Sequence, residues 1–507
     1  MKVKISLILG MLFGMFVTSA QSRLPNILVL YADDMGFGDL GSNNKDSKIP
    51  TPHLDKLCSE GLNFSDGHAS SGICTPSRYA MLTGRYHWRK GQGIVHSFGA
   101  SWFKEEQLTL PEMMQKKGYH TAHIGKWHLG FNWPAIRNKG KGEFQVKTKK
   151  GFKKVYGPKA FDWSKTIPNG PTAHGFDYSF TDAVINFPPY CWIENDRVVK
   201  APDTMMDVNL WKPLKEGKWE CRPGPMVTGW DPYENLPKLT EKAVHYIQEQ
   251  ANEAKPFFLY FALPSPHAPI VPKDEFLGAS QAGPYGDFVV QSDNSCGRLL
   301  KALEASGEAD NTIVIFSADN GSELYAYERD AKYDHWSSNP FRGTKRSIFE
   351  GGHHVPFIIK WPGVTKPGSV SDALISQIDI MATLAAVIGY DLPKNQAEDS
   401  YNQLPVIKGA KKKVRTVDVH NTYKDSYGIR QGDWVLINTP SLAKEIINYE
   451  WLAKRDYPSK KRKTDMLYHL KEDVGQMHDV SEEHPKRVKK MSKLLEEIMK
   501  KEFSEER

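Results

Sequence analysis

Four short apolar runs along the chain end in polar or charged residues that a strand does not need. The runs cover residues 26–32, 119–125, 257–262 and 312–318. Near-continuous apolar runs of this length are typical of strands buried on both faces. Apolar residues at helical spacing lie between them, at 110–118, 239–254 and 288–306, and a further helical run follows at 377–389. The alternation predicts an α/β fold with a large, mostly parallel sheet flanked by helices.

A different pattern begins near residue 390. Strand-like segments are followed by a Lys/Glu-rich amphipathic helix over about 485–501; the segments are 413–421, 427–431, 433–438 and 467–470. This order predicts a smaller C-terminal α+β domain, with an antiparallel sheet and a terminal helix packed on it. We therefore predict a main domain over 23–390 and a C-terminal subdomain over 391–507.

The first 20 residues have the pattern of a secretory signal peptide. Lys2 and Lys4 precede an apolar run over 5–17, and the small residues at 18–20 offer a cleavage site near Ala20. The run is short for a membrane span, and no later segment approaches the roughly 20 apolar residues of one. We predict an exported protein, periplasmic or secreted, without a stable membrane anchor; a retained N-terminal anchor is the alternative.

Charge and cysteine content narrow the class of protein further. The net charge is +7, and the cations cluster at 137–154, 411–413 and 460–463. The simpler explanation of these clusters is that they lie on solvated loops and helix faces. The more specific explanation is that the segment 137–154 binds a polyanion. Nucleic acid is excluded as a partner, because no nucleic-acid motif accompanies the charge. The five cysteines are too few for a disulfide framework, and whether Cys191 pairs with Cys221 stays open.

Two of the apolar runs end in oxygen-bearing side chains. Asp33 and Asp34 follow the first run, and Asp319 and Asn320 follow the last. Carboxyl ends of parallel strands meet at one edge of a sheet, where ligands bind. Three carboxylates brought together need a cation, and hard oxygen donors suit Ca²⁺ or Mg²⁺. Helix or turn capping by each Asp is the alternative.

The segment Cys74-Thr75-Pro76-Ser77-Arg78 changes the picture. Pro76 fits the first turn of a helix, which places Cys74 at a helix N-terminus. The segment matches the Cys-X-Pro-X-Arg signature of the type I sulfatases. The chain resembles this family, within the alkaline-phosphatase-like superfamily, over nearly its whole mature length. Further motifs fall in the family's order: Leu82-Thr83-Gly84-Arg85, Gly125-Lys126-Trp127-His128-Leu129-Gly130, Asp319-Asn320-Gly321, Gly343-Thr344-Lys345 and Gly428-Ile429-Arg430-Gln431-Gly432-Asp433-Trp434.

The resemblance implies a modified nucleophile. In this family the cysteine equivalent to Cys74 is oxidised to formylglycine by a separate maturation enzyme, and the hydrated aldehyde attacks the sulfur of a sulfate ester. One Ca²⁺, with Mg²⁺ the less suitable ion, would be held by Asp33, Asp34, Asp319, Asn320 and the modified Cys74. An unmodified Ser or Cys lacks the second hydroxyl that expels sulfate.

The resemblance also implies roles for the other motif residues. Arg78 is similar to the residue that orients the hydrated aldehyde, and Lys126 and Lys345 to residues that bind sulfate oxygens. His267 resembles the acid that protonates the leaving oxygen. His128 resembles the base that opens the covalent intermediate. His123, His353 and His354 have no assigned role.

The segment between residues 131 and 237 bears on the substrate. It contains several tryptophans, namely Trp133, Trp163, Trp192, Trp211, Trp219 and Trp230. Aromatic faces stack on sugar rings, although each Trp alone is more often a packing residue. Together with the cations at 137–154 they favour a sulfated polysaccharide, ulvan-, carrageenan- or glycosaminoglycan-like, or its oligosaccharides over a small aryl or choline sulfate. His174, Tyr178 and Arg346 are candidate subsite residues.

Two other functions stay open. A phosphoester or phosphonate hydrolase of the same superfamily would reuse the metal ligands, and a non-catalytic binder of sulfated glycans would reuse the cationic surface. The complete Cys74-to-Arg78 motif disfavours the first. The second predicts loss of metal or acid–base residues, and every expected position is filled.

Overall fold

A computed structural model describes the chain from residue 23 to residue 501, apart from 92, 149–150, 208–215, 217–220, 252, 411–412, 423–424, 440–447 and 458–463. The predicted signal sequence, Trp211, Trp219 and most of the cationic runs at 411–413 and 460–463 lie outside the described residues. A search of the described helices finds none with the length and apolar character needed to cross a membrane.

Strands and helices are numbered in chain order. The strands are β1 Asn26–Ala32, β2 Leu62–Phe64, β3 Gly67–His68, β4 His120–Gly125, β5 Glu143–Thr148, β6 Gly151–Tyr156, β7 Tyr178–Thr181, β8 Ile193–Glu194, β9 Arg197–Val198, β10 Thr204–Met205, β11 Pro225–Met226, β12 Phe257–Ala262, β13 Thr312–Ala318, β14 Phe357–Lys360, β15 Ser369–Ser371, β16 Ile375–Ser376, β17 Val417–Asn421, β18 Tyr427–Gln431, β19 Trp434–Asn438 and β20 Asp465–His469. The helices are α1 Pro52–Glu60, α2 Cys74–Thr83, α3 Leu110–Lys116, α4 Asn235–Gln250, α5 Gly283–Ala305, α6 Tyr325–Tyr333, α7 Glu350–His353, α8 Asp379–Ile388, α9 Leu404–Ile407, α10 Tyr449–Lys454 and α11 Pro485–Lys500.

The main sheet has ten strands in the order β15-β2-β14-β13-β1-β12-β4-β7-β8-β9. Its centre, from β13 to β7, is parallel throughout. The four apolar runs of the sequence form β1, β4, β12 and β13, which are adjacent strands at this centre, so the predicted α/β fold is confirmed. The sheet as a whole is mixed, because β14 and β8 join its two sides antiparallel.

The sheet is covered on both faces, as continuous apolar strands require. Alternate residues of β1 point to opposite layers: Leu28 and Leu30 pack in the cluster that contains residues of α4 and α5. Ile27 and Val29 pack in the cluster that contains residues of α2 and α8. Burying each of these side chains contributes about 1.5–3 kcal/mol to stability. The central strands therefore hold the residues that follow their carboxyl ends in fixed positions.

The predicted C-terminal sheet is present as β17-β18-β19-β20, antiparallel throughout. Helix α11 packs on it, with Met491 and Leu495 in a cluster that includes Leu436 of β19. The same cluster contains Ala80 of α2 and Ile378, so the small sheet shares a core with the helix that begins at Cys74. The domain boundary near residue 390 stays a prediction.

Candidate active site at the carboxyl edge of the sheet

The oxygen-bearing residues predicted as metal ligands meet at one edge of the sheet. Strands β1 and β13 are neighbours in register, with Ala32 opposite Ala318, so the residues that follow them lie side by side. The backbone N–H of Asp34 donates to Asp319 Oδ1 at 3.2 Å, and Asn320 Nδ2 donates to Asp34 Oδ1 at 2.7 Å. Asp33, Asp34, Asp319 and Asn320 are all buried.

Two lysines face these carboxylates. Lys126 follows β4, and its Nζ lies 2.5 Å from Asp33 Oδ2. Lys345 Nζ lies 2.7 Å from both carboxylate oxygens of Asp34. Burial opposes the charge on Lys345, but Asp34 raises the pKa of this lysine well above its usual value. Two cations are therefore fixed at the edge where the strands end.

Arg78 forms close charge contacts with two of the carboxylates, those of Asp319 and Asp33. It lies on α2, fully buried, and its Nε donates to Asp319 Oδ2 at 2.9 Å. Its Nη2 lies 2.7 Å from Asp319 Oδ2 and 3.5 Å from Asp33 Oδ1. Burying a guanidinium is costly unless it is paired, so these contacts hold the arginine in one position and fix α2 against the strand ends.

Cys74 is the first residue of α2, which places it at a helix N-terminus as predicted. It is 2% exposed, and potential ligand atoms of Asp33, Asp34, Cys74 and His267 all lie within 4.8 Å of one another. Burial raises the pKa of the Cys74 thiol, against the opposite effect of Lys126 and Lys345. An unmodified Cys74 is therefore a protonated thiol, which is a weak nucleophile.

The two predicted acid–base histidines are both buried near the carboxylates. His267 follows β12, and its Nδ1 lies 2.5 Å from the carbonyl of Ala268, so Nδ1 carries a proton. Its Nε2 points inward, 3.7 Å from Asp34 Oδ2. Burial and then Lys345 lower the pKa of His267.

His128 differs from His267 in which nitrogen faces the site. Its Nε2 donates to the carbonyl of Val95 at 3.0 Å. Its Nδ1 is buried and has no hydrogen-bond partner among the described residues. Burial, and then Lys126, lower the pKa of His128 well below its usual value. The ring is neutral, with a free lone pair on Nδ1.

The carboxylates themselves are electrostatically unequal. Burial opposes ionisation of Asp33, but Lys126, His267 and Arg78 together hold its pKa well below the usual range. For Asp319, burial and the nearby Asp33 charge raise the pKa to about 7. A group that resists ionisation beside like charges is the state expected when a cation belongs between them.

The residues fit a hard divalent cation. Asp33 Oδ1 and Asn320 Oδ1 are buried oxygens without a hydrogen-bond partner among the described residues. Unpaired buried oxygens are costly unless an ion uses them. All the oxygen donors are carboxylate or amide groups, which is the donor set that Ca²⁺ and Mg²⁺ prefer.

Two acidic residues at the site were missed by the sequence analysis. Glu323, 6% exposed, lies 3.6 Å from Lys345 Nζ and accepts from Arg346 Nη1 at 2.5 Å. Asp182 accepts from Asn235 Nδ2 at 2.6 Å, and burial raises its pKa to about 7. The only sequence signal for Glu323 was its place three residues after Asn320. Asp182 had no signal, because it follows a short strand at the edge of the parallel region.

Of the three candidate subsite residues, only Arg346 reaches this edge. Its backbone N–H donates to the carbonyl of Gly72, two residues before Cys74. Tyr178 is opposite Ala122, well before the end of β4, and its hydroxyl donates to Glu194. His174 is buried against Phe103, with 4.3 Å between ring centroids. The structure therefore does not bring His174 and Tyr178 to the carboxylates, because one packs in the core and the other lies toward the amino end of its strand.

A cationic and aromatic pocket lies beside His128. Its volume is about 190 Å³, and its walls include Lys153, Lys154, Arg222 and Phe187. Phe187 connects it to the site, with 5.8 Å between its ring centroid and that of His128. The described tryptophans of 131–237 are packing residues: Trp133 stacks among Phe98, Phe131 and Phe161, and Trp192 contacts Trp230. Cys191 and Cys221 are not joined by a disulfide in this structure.

The mixed ten-stranded sheet, with paired carboxylates and lysines at its carboxyl edge, defines the chain as a hydrolase of the alkaline-phosphatase-like type. Comparison with known proteins gives the family. The chain belongs to the sulfatase family, whose model matches residues 25–390, and is a sulfatase. A second model, described as the C-terminal part of N-sulphoglucosamine sulphohydrolase, matches 343–504.

Relatives cover most of the chain. It is similar to an N-acetylgalactosamine-6-O-sulfatase of Bacteroides thetaiotaomicron, 31% identical over 94% of each chain. Human N-acetylgalactosamine-6-sulfatase is 33% identical over 77% of this chain and 67% of its own. A solved structure from work on glycosaminoglycan metabolism by Bacteroides thetaiotaomicron superposes with a TM-score of 0.78, at 28% identity, over 95% of this chain and 100% of that one.

Proposed function

We propose that this enzyme removes sulfate esters from a sulfated carbohydrate, with 6-sulfated N-acetylgalactosamine of glycosaminoglycan-type saccharides as the leading substrate. The observation that carries the proposal is the position of Cys74 at a helix N-terminus, with ligand atoms of Asp33 and Asp34 within 4.8 Å and with Lys126 and Lys345 close enough to lower the pKa of its thiol. Two relatives named for the 6-sulfate of N-acetylgalactosamine support the choice of sugar.

Cys74 is the residue that we expect a separate maturation enzyme to oxidise to formylglycine. The hydrated aldehyde supplies a hydroxyl nucleophile that the protonated thiol of Cys74 lacks. Asp33, Asp34, Asp319 and Asn320, together with the modified Cys74, would hold Ca²⁺, which supplies positive charge beside the sulfate. Export through the N-terminal segment is part of the same proposal.

The protein's own cations bind and orient the sulfate. Lys126 and Lys345 act electrostatically on Cys74, the first residue of α2, and both the ammonium groups and a helix N-terminus favour an anion. Arg78, held by Asp319, keeps the first turn of α2 in position. Charge that builds up on the sulfate oxygens during reaction is offset by groups that are already fixed, so little reorganisation is needed.

The two histidines divide the proton transfers. His267 keeps its Nδ1 proton on the Ala268 carbonyl, so Nε2 is the nitrogen that faces Asp34. In the imidazolium form, which the Asp34 and Asp33 carboxylates favour, Nε2 carries a second proton, and this is the proton that passes to the leaving sugar oxygen. His128 keeps its proton on Nε2 for the Val95 carbonyl, and its unpartnered Nδ1 accepts a proton during the second step. The hydrogen bonds therefore leave one nitrogen of each ring for proton transfer: Nε2 of His267, which acts as the acid when the ring is protonated, and Nδ1 of His128, whose lone pair acts as the base.

The pocket beside His128 gives the substrate a second contact. Lys153, Lys154 and Arg222 would bind carboxylates or sulfates of neighbouring sugars, and Phe187 offers an apolar face. A small aryl sulfate would bind only at the carboxylate edge and would not reach the pocket. An oligosaccharide would gain affinity from the pocket as well.

The test is sulfate release by full-length enzyme whose Cys74 conversion has been measured by peptide mass. Substrates are 6-sulfated N-acetylgalactosamine, the 4-sulfated isomer, chondroitin-type oligosaccharides, an aryl sulfate and an aryl phosphate. We expect the 6-sulfated sugar to have the highest kcat/KM. No release from any carbohydrate sulfate by fully converted enzyme would overturn the proposal, as would a faster rate on the phosphate.

A paired variant tests the pocket. Replacing Lys153 and Lys154 with alanine should raise KM for oligosaccharides while leaving the aryl sulfate rate unchanged. Lys165→Ala is the matched control, because Lys165 is an exposed lysine that pairs only with Asp162. Equal loss on both substrates would show that the pocket is not a sugar site.

A further inference from the structure

A second cluster of metal-ligating side chains lies away from the carboxylate edge. His68 on β3, His353 on α7 and His420 on β17 are buried, with exposures of 0%, 1% and 1%. One ring nitrogen of each lies within 4.8 Å of the others. The function proposed above uses none of these residues.

The hydrogen bonds of His68 and His353 determine which nitrogens are free. His68 Nε2 lies 2.8 Å from Asp66 Oδ1, and Asp66 is also paired with Arg430, so the carboxylate is an acceptor. His353 Nε2 lies 3.3 Å from the backbone carbonyl of Ile348, which can only accept. Both rings therefore carry their proton on Nε2 when neutral.

This arrangement leaves two lone pairs facing each other. The Nδ1 atoms of His68 and His353 are 3.1 Å apart, and neither has a proton in the neutral ring. Such a contact is repulsive unless a cation lies between the nitrogens. Burial and neighbouring histidines lower the pKa of His68 well below its usual value, and that of His353 to about 3, which disfavours a proton in this role.

His420 supplies the third nitrogen. Its ring stacks on His353 with 3.8 Å between centroids. Neither of its ring nitrogens has a hydrogen bond of good geometry among the described residues, although the Ala69 backbone is close enough to raise the pKa of the ring; Asp418 Oδ2 is 3.6 Å away. A buried imidazole with such weak partners is costly, and coordination of a metal ion would offset the cost.

We propose that His68 Nδ1, His353 Nδ1 and His420 form a binding site for a divalent transition metal of the Zn²⁺ type. Nitrogens on one tetrahedral zinc lie about 3.3 Å apart, given Zn–N distances of about 2.0–2.1 Å. The His68–His353 pair already has nearly this separation. Imidazole donors favour zinc, nickel or copper over the hard cations suited to the carboxylate edge.

The surroundings complete the site in the usual way. Asp66 and the Ile348 carbonyl hold the outer nitrogens of two ligands, as partners of metal-bound histidines do. Glu350 lies 3.9 Å from His68 Nδ1, close enough to offset positive charge. The other titratable or permanently charged groups that act on the cluster are His354, Arg415, Asp418 and Arg430.

The ligands come from three separate parts of the fold. β3 lies six residues before Cys74, α7 precedes the main-sheet strand β14, and β17 begins the C-terminal sheet. A metal here would cross-link the C-terminal sheet to the segment that carries the nucleophile. Its role is to stabilise that junction, since no reacting group lies in the cluster.

The test is metal content of full-length enzyme produced in zinc-supplemented medium and desalted. We expect about one zinc per chain, as in structural sites, and its loss by at least tenfold in His420→Gln and in His68→Gln. His87→Gln is the control: His87 is equally buried, but it already has Ser70 and Asn421 as partners. It should retain zinc.

Two further measurements keep the proposal falsifiable. Asp34→Asn should lose calcium and keep zinc, which separates the two sites and makes the result independent of sulfatase activity. If the histidine variants fail to fold, zinc-free wild type saturated with Ca²⁺, so that the carboxylate edge is filled, should show a rise in Tm on adding Zn²⁺ and none on adding Mg²⁺. Wild-type protein without stoichiometric zinc, zinc retained in His420→Gln, or a Tm unmoved by Zn²⁺ would overturn the proposal.

Discussion

Replacing Glu323 with glutamine isolates the contribution of one buried charge to the active site. Glu323 has no place in the motifs, but it lies between Lys345 and Arg346, at 3.6 Å and 2.5 Å. Glutamine keeps the size of the side chain and an oxygen that can accept from the Leu324 backbone N–H. The substitution therefore removes charge with little change in packing.

The structure gives the size of the effect. At 3.6 Å and an effective dielectric constant of about 20, the Glu323–Lys345 pair interacts by about 4.6 kcal/mol. Lys345 retains Asp34, so we assign about 1.5–2.5 kcal/mol of this to positioning in the transition state. Because about 1.4 kcal/mol corresponds to a factor of ten, kcat/KM should fall by about 10- to 70-fold.

The assay is initial-rate kinetics on the sulfated saccharide, with Cys74 conversion and calcium content matched between variants. Glu328→Gln is the control, because Glu328 is an exposed residue on α6, five positions further along the chain. Near-ultraviolet circular dichroism should be unchanged in both. Wild-type kcat/KM in Glu323→Gln, or a loss that simply follows unfolding, would refute the reasoning.

Three other predictions follow from the same geometry. Cys74→Ser should abolish sulfate release with circular dichroism unchanged, because serine cannot form the hydrated aldehyde; substantial release would contradict the mechanism. Chelation should inactivate wild type by at least about 100-fold, with Ca²⁺ restoring activity better than Mg²⁺, and Asp319→Asn should weaken calcium binding measured by metal analysis. Burial lowers the pKa of His87 to about 4, so the unfolded state binds the extra proton between about pH 4 and pH 6.5. The free energy of unfolding should therefore decrease as the pH is lowered from about 6.5 to about 4, by up to about 1.4 kcal/mol per pH unit from this group. Urea unfolding of His87→Gln should lack this part of the slope, and parallel curves for variant and wild type would show that His87 is not buried in its neutral form.

Much of the fold follows from local sequence pattern. The strands β1, β12 and β13 are largely apolar, and such runs are typical of buried central strands. Strand β4 is nearly as buried, although its sequence is His-Thr-Ala-His-Ile-Gly. The sequence pattern predicted the ends of the helices less accurately. Helix α5 begins at Gly283, five residues before the apolar periodicity, because its first turn is Gly-Pro-Tyr-Gly and carries few apolar side chains.

Some residues of the active site could likewise be predicted from the sequence, and others could not. Asp33, Asp319 and Lys126 were predictable because each directly follows a parallel strand, and parallel strands end at a common edge. The prediction of Tyr178 as a subsite residue could not take strand register into account, because local sequence pattern does not determine register. Tyr178 pairs with Ala122, so it lies before the carboxyl edge of the sheet. Packing, and not the sequence spacing, decides how far along a strand a residue lies.

The sequence by itself determined the strands, the residues at their carboxyl ends and the Cys74 motif, because these depend on neighbours a few positions away. Only the tertiary structure placed Glu323 between Lys345 and Arg346. It alone brought together His68, His353 and His420, which are separated by 285 and 67 positions along the chain. Contacts of that kind depend on how three distant segments pack, and the packing is set by the whole hydrophobic core, which no local pattern encodes.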